Sequence, residues 1–83
     1  MVEVTDVRIK KIETDGKLRA YVSIVLNESF AIHDIKIIEG NTGLFIAMPS
    51  KKYKNEFADI AHPINKETRK IIETAILTEY NKE

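Results

Sequence analysis

Residues 17–27 read KLRAYVSIVLN. Leu18, Ala20, Val22, Ile24 and Leu26 make one unbroken apolar row, and Arg19, Tyr21, Ser23 and Asn27 stand opposite, with Val25 the exception. A side-chain period of two over this length specifies a β-strand with one face in a core and the other toward water. Turn chemistry bounds the strand on both sides. Glu13-Thr14-Asp15-Gly16 carries the Asp-Gly hairpin signal upstream, and Asn27-Glu28-Ser29 makes a short turn downstream. Upstream of the first turn, Glu3–Ile12 alternates Thr5, Val7 and Ile9 with Asp6, Arg8 and Lys10, and Ile12 breaks the phase, which predicts a bulge or strand end near Lys11. Beyond the second turn, Phe30–Glu39 reads as a third strand whose phase changes midway. Phe30 and Ile32 share one face and Ile35 and Ile37 the other, so His33-Asp34 marks either a bulge or apolar cover on both faces. Three antiparallel strands joined by short turns are a meander.

Past the turn Gly40-Asn41-Thr42-Gly43, the run Leu44–Met48 is apolar on both faces and reads as a short strand covered on both sides, with Pro49 ending it or marking an edge. Ser50–Glu56 is polar and basic and reads as a loop. Phe57, Ile60 and Ala61 are expected to pin its far end back onto the domain, with a short strand as one way of doing so. Asn65 is an N-cap candidate, and Pro63 shapes the entry to a helix of roughly 15 residues. In that helix Ile71, Ile72, Ala75, Ile76 and Tyr80 recur at helical spacing, with Leu77 widening the stripe. Only Asn81–Glu83 are expected to fray. The fold class is therefore α+β: a small antiparallel sheet of four to five strands in a meander with one C-terminal α-helix packed on it.

With 83 residues, the chain is expected to form a single domain, residues 1–83, near the lower size for independent folding. It has no cysteine to staple a small core, which points to an oligomer, a dimer being the simplest. No apolar run approaches a membrane span and the opening MVEVTDVRIK lacks a signal-peptide core, so the expected location is the cytosol. Thirteen basic and thirteen acidic residues cancel, but they are not mixed evenly: residues 51–70 carry six Lys/Arg against three Asp/Glu. Lys51, Lys52 and Lys54, with Lys66, Arg69 and Lys70 from the helix start, form the one candidate binding surface. Phosphate recognition wants mobile cations and the positive end of a helix dipole. Tyr53, set between lysines, adds a ring able to stack on an unpaired base. The alternative is a solvated face diluted by Glu56, Asp59 and Glu67.

Catalytic and metal chemistry is not spelled out. His33 with Asp34, and His62 following Asp59, are the only histidine–carboxylate sets, and they read as hydrogen-bonding core or corner residues. Ser23, Ser29 and Ser50 have no nucleophile-elbow setting, and GNTG is a turn rather than a phosphate cradle. No catalytic residue, metal ligand, cofactor or small-molecule substrate is expected.

The strings HDIKIIEGNTGLFIAMPSKK (residues 33–52), FADIAHPIN (57–65) and AILTEY (75–80), with the opening VTDVRIKKIETDGKLRAYVSI (4–24), resemble the stage V sporulation protein G (SpoVG) family over nearly the whole chain. The resemblance implies a small sheet with a C-terminal helix, a homodimer, and a bacterial regulator that binds DNA and, in some members, RNA, with no enzymatic activity and no cofactor. The two basic residues that follow MPS in the family fall on Lys51 and Lys52, and its basic helix residue on Arg69. Two departures stand out. The turn Tyr53-Lys54-Asn55-Glu56 is shorter than the Pro- and Gly-containing turn of the family, and Ala58 stands where a basic residue is common, with Lys54 as its substitute. The leading expectation is thus a dimeric, non-catalytic nucleic-acid-binding regulator. A protein-docking module using a sheet edge or helix face is the alternative, and a small hydrolase using His33 or His62 ranks last.

Overall fold

The computed structural model describes residues 2–13 and 16–82. Strands β1 (Val4–Lys11), β2 (Leu18–Leu26), β3 (Phe30–Gly40) and β4 (Gly43–Ala47) form an antiparallel four-stranded sheet in the order β1-β2-β3-β4. Strands β5 (Ser50–Tyr53) and β6 (Glu56–Asp59) pair only with each other, and helix α1 spans Lys66–Lys82. The α+β class and the meander follow the sequence. The segment expected to be a basic loop is instead a separate two-stranded ribbon.

The core lies on one face of the sheet. Ala20, Val22 and Ile24 of β2, Ile35 and Ile37 of β3, Ile46 of β4 and Met48 are buried with Ile72 and Ile76 of α1. Val4, Val7, Ile9, Leu26, Ile32, Leu44, Leu77 and Tyr80 pack around them. At the far end of the helix the Lys11 ammonium lies 4.8 Å from the centre of the Tyr80 ring.

Bulges set which residues reach that face. In β3 the register steps from Val22 opposite Ile35 to Ile24 opposite Ile32, so His33-Asp34 together face Ser23, and Asp34 takes a φ of 63°. The extra residue restores the phase, which puts Ile32, Ile35 and Ile37 all on the core side. Of the two readings the sequence left open, the bulge is the observed one. The bulge in β1 lies at Thr5, between Val4 and Asp6, and not near Lys11. Thr5 is therefore exposed rather than in line with Val7 and Ile9, and its hydroxyl donates to the Val25 carbonyl and accepts from the Glu28 amide. A third irregularity, at Arg19, sets Leu18 opposite Ile38 and takes Leu18 out of the core row.

In the three-residue connection between Leu26 and Phe30, Asn27 and Glu28 both take positive φ, and Ser29 N–H closes the turn onto the Leu26 carbonyl at 2.9 Å. Thr14 and Asp15 of the other expected turn lie outside the described residues. Phe45 of β4 is 48% exposed, so that strand is covered on one side only, contrary to its two-sided apolar pattern.

Asn65 caps α1 as its sequence position requires: its side-chain oxygen accepts from the Thr68 amide at 2.7 Å, and its carbonyl accepts from the Arg69 amide at 3.2 Å. The helix continues through Lys82, beyond the point where fraying was expected. Replacing Asn65 by Ala removes the cap and is expected to cost about 1 kcal/mol. In urea denaturation this would appear as a lower midpoint with an unchanged slope.

Candidate nucleic-acid interface

Every residue from Ser50 to Ile60 is exposed, so the β5–β6 ribbon stands off the body and is anchored at its base by the Ile60 amide donating to the Pro49 carbonyl at 2.7 Å. Phe57 and Ile60 are 73% and 68% exposed, and only Ala61 of the three expected anchors is half-buried. The expected pinning of the loop is thus overturned. Once the segment pairs as a hairpin, its alternate side chains point away from the ribbon plane instead of down onto a core.

Register then sorts the ribbon's chemistry. Lys51 lies opposite Ala58 and Tyr53 opposite Glu56, so these four share one face; Ser50, Lys52, Phe57 and Asp59 share the other. Lys51 and Lys52 therefore point to opposite sides. The Lys51 ammonium lies 5.4 Å from the centre of the Tyr53 ring, and that of Lys52 lies 5.9 Å from the centre of the Phe57 ring. Each face thus carries one cation over one exposed ring, a weakly held pair at such a wet site. Among the described residues neither lysine is ion-paired. Both charges remain available to a phosphate. Phe57 is the residue that the loop reading missed. A two-residue turn at Lys54-Asn55 would have placed it beside Lys52.

Lys54 occupies that turn with φ of 54°. The helix cations divide into two sets. Lys66 and Arg69 border a shallow dent at the start of α1 together with His62 and Asn65, and Arg69 also reaches Glu73 at 3.8 Å. Lys70 instead borders a separate patch with Glu67, Ile71 and Ala75 on the outer side of the helix. The six predicted cations are therefore not one cluster. Lys51, Lys52 and Lys54 belong to the ribbon, Lys66 and Arg69 to the helix start at the other end of the Ala61–Asn65 connection, and Lys70 faces elsewhere.

The histidines hydrogen-bond as expected, but both are exposed and neither is a core residue. His62 Nδ1 donates to the Pro63 carbonyl at 3.0 Å, and His33 Nδ1 shares a hydrogen bond with Ser23 Oγ at 3.0 Å across β2 and β3. His33 is exposed, so this pair lacks the water exclusion that strengthens a catalytic dyad. Among the described residues no group of His, Cys, Asp and Glu side chains converges as a metal site, and no helix is long and apolar enough to cross a membrane.

The SpoVG family model matches residues 2–82. This chain belongs to the SpoVG family. Its similarity to "Putative septation protein SpoVG" of Staphylococcus saprophyticus is 59% identity over 95% of this chain and 79% of the relative. To the SpoVG 2 protein of Listeria monocytogenes and the SpoVG protein of Bacillus cytotoxicus it is 55% identical over 98% of this chain, covering 80% and 84% of those relatives. In this SpoVG-family chain, the string MPSKK runs from the link after β4 into the first strand of the ribbon.

The ribbon turn separates backbone strain from charge. A lysine at positive φ costs about 1 kcal/mol against glycine. Lys54→Gly is expected to slow amide exchange along the ribbon several-fold, whereas Lys54→Ala, which removes the same charge but keeps the strain, would not.

Proposed function

We propose that this chain is a dimeric, non-catalytic nucleic-acid-binding regulator, cytoplasmic and acting in septation control as the names of its relatives suggest. The β5–β6 ribbon is its principal contact. The observation that carries the reading is the ribbon itself: fully exposed, projecting, and bearing an unpaired lysine on each face. The major groove of a duplex admits a two-stranded ribbon. A strand of four residues reaches about 13 Å, enough to enter a groove roughly 8.5 Å deep. With its lysines turned to opposite sides, such a ribbon meets phosphates on both walls, Lys51 on one and Lys52 on the other. Lys54 at the tip and the Lys66–Arg69 helix start supply further phosphate contacts, which provide affinity and register rather than sequence choice.

Dimerisation is supported by apolar surface that the protomer leaves open. Phe30, Ile60 and Ile64 are all largely exposed. Phe30 and Ile64 border a groove of about 400 Å³ that also includes Leu26, Met48, Pro63 and Ile72. A second copy covering this end would bury what a small cysteine-free core cannot. The outer helix patch with Ile71 and Ala75 favours the alternative, a protein-docking module.

The test is a titration of labelled duplex DNA, and separately of single-stranded RNA, by wild type and by Lys51→Ala/Lys52→Ala at several salt concentrations. With Lys51, Lys52 and Lys54 of two protomers neutralising about six phosphates, the ribbon's share of the slope of log affinity for duplex against log salt should be on the order of −5. The variant, still folded and dimeric by sedimentation, should lose most of that dependence. A slope near zero in the wild type, or equal binding by both proteins, would reject the ribbon and favour docking to a protein.

A further inference from the structure

Helix α1 covers one face of the four-stranded sheet, and register assigns the residues of the other. Lys10, Tyr21, Lys36 and Ala47 form one row across β1, β2, β3 and β4, each directly opposite the next. Phe45 and Ile38 pair in the adjoining row, and on the far side of the Tyr21 row Arg8 lies opposite Ser23. A core-building sheet would bury its rings, but here Tyr21 is 42% and Phe45 48% exposed. Tyr21 therefore sits between two lysines on a wet surface. Among the described residues neither Lys10 nor Lys36 is ion-paired, whereas Arg8 is held by Asp6 at 3.1 Å.

Phe45 lies close over Gly40: a Cβ there would stand 3.1 Å from its ring edge, so the ring packs against the backbone of β3 while its outer face stays open. From the spacing of strands and residues, the two rings lie about 12 Å apart, across two strands and one step along them. Two exposed rings with cations beside them suit planar bases strung on phosphates, and only unpaired bases present a free face. Ser23 and His33, hydrogen-bonded to each other at the edge of this surface, offer polar atoms to base edges.

We propose that the open face of the sheet, centred on Tyr21 and Phe45, is a second nucleic-acid surface that captures an unpaired strand. The rings stack on bases and Lys10 and Lys36 take the flanking phosphates. This surface is separate from the ribbon and does not depend on the ribbon's engaging a duplex. An acidic peptide would use the lysines but has little use for the rings, and a second copy of this chain would cover the face altogether.

The experiment is an anisotropy titration of a short labelled oligouridylate, with a labelled duplex in parallel, by wild type and by Tyr21→Leu/Phe45→Leu. Leucine keeps apolar bulk but has no π-face. The single-strand affinity should fall roughly tenfold per ring lost, with duplex affinity and sedimentation unchanged. Lys10→Ala/Lys36→Ala, at surface positions that tolerate truncation, should lower the single-strand salt slope by about 1.4, and it serves as the test if the leucine variant fails to fold. The proposal is overturned if wild type does not bind the oligouridylate, if the leucine variant binds it as well as wild type does, or if that variant becomes monomeric.

Discussion

One helix must serve a four-stranded sheet, and it reaches one face only. Ile72 and Ile76 close over Ala20, Val22, Ile24, Ile35 and Ile37, and these side chains take up the available apolar cover. Everything else about the molecule follows from that shortage. The second sheet face stays wet, the outer edge of the meander keeps Phe45 half exposed, and the residues from Ser50 to Ile60 stay exposed. Those residues pair their backbone groups with each other, as a ribbon.

The bulges make this economy of cover possible. With strict alternation, β3 could bring either Ile32 or the pair Ile35 and Ile37 to the helix, but not all three. The left-handed backbone at Asp34 turns the chain by one residue and lets a single face collect them. Arg19 does the reverse for Leu18, turning it toward Ile38 on the wet face.

How far the sequence revealed this depends on where its pattern is local. The β2 row from Ala20 to Leu26, the β3 phase change and the Asn65 cap are local, and each was legible in the sequence, whereas the irregularity that removes Leu18 from that row was not. The position of the β1 bulge was not, because Thr5 resembles a strand residue until its hydroxyl is seen bridging Val25 and Glu28. The ribbon was not legible either. KKYKNEFAD has neither an Asp-Gly turn nor an apolar alternation, and Lys54 takes a positive φ that sequence rules assign to glycine or asparagine. Hydrophobicity suggested that Phe57 would be buried, but only the cross-strand register shows it beside Lys52 in solvent. Of the candidate site, the lysines after MPS were legible as charges, while their division between two ribbon faces was not. Zero net charge concealed the same separation.

The most direct test of the central claim is an amide-resolved NMR titration of the protein with duplex DNA. The account predicts shift changes concentrated on Ser50–Asp59 and on Lys66–Arg69, with the buried strands unaffected. Changes confined to the outer helix face around Lys70, Ile71 and Ala75, or none anywhere, would contradict it.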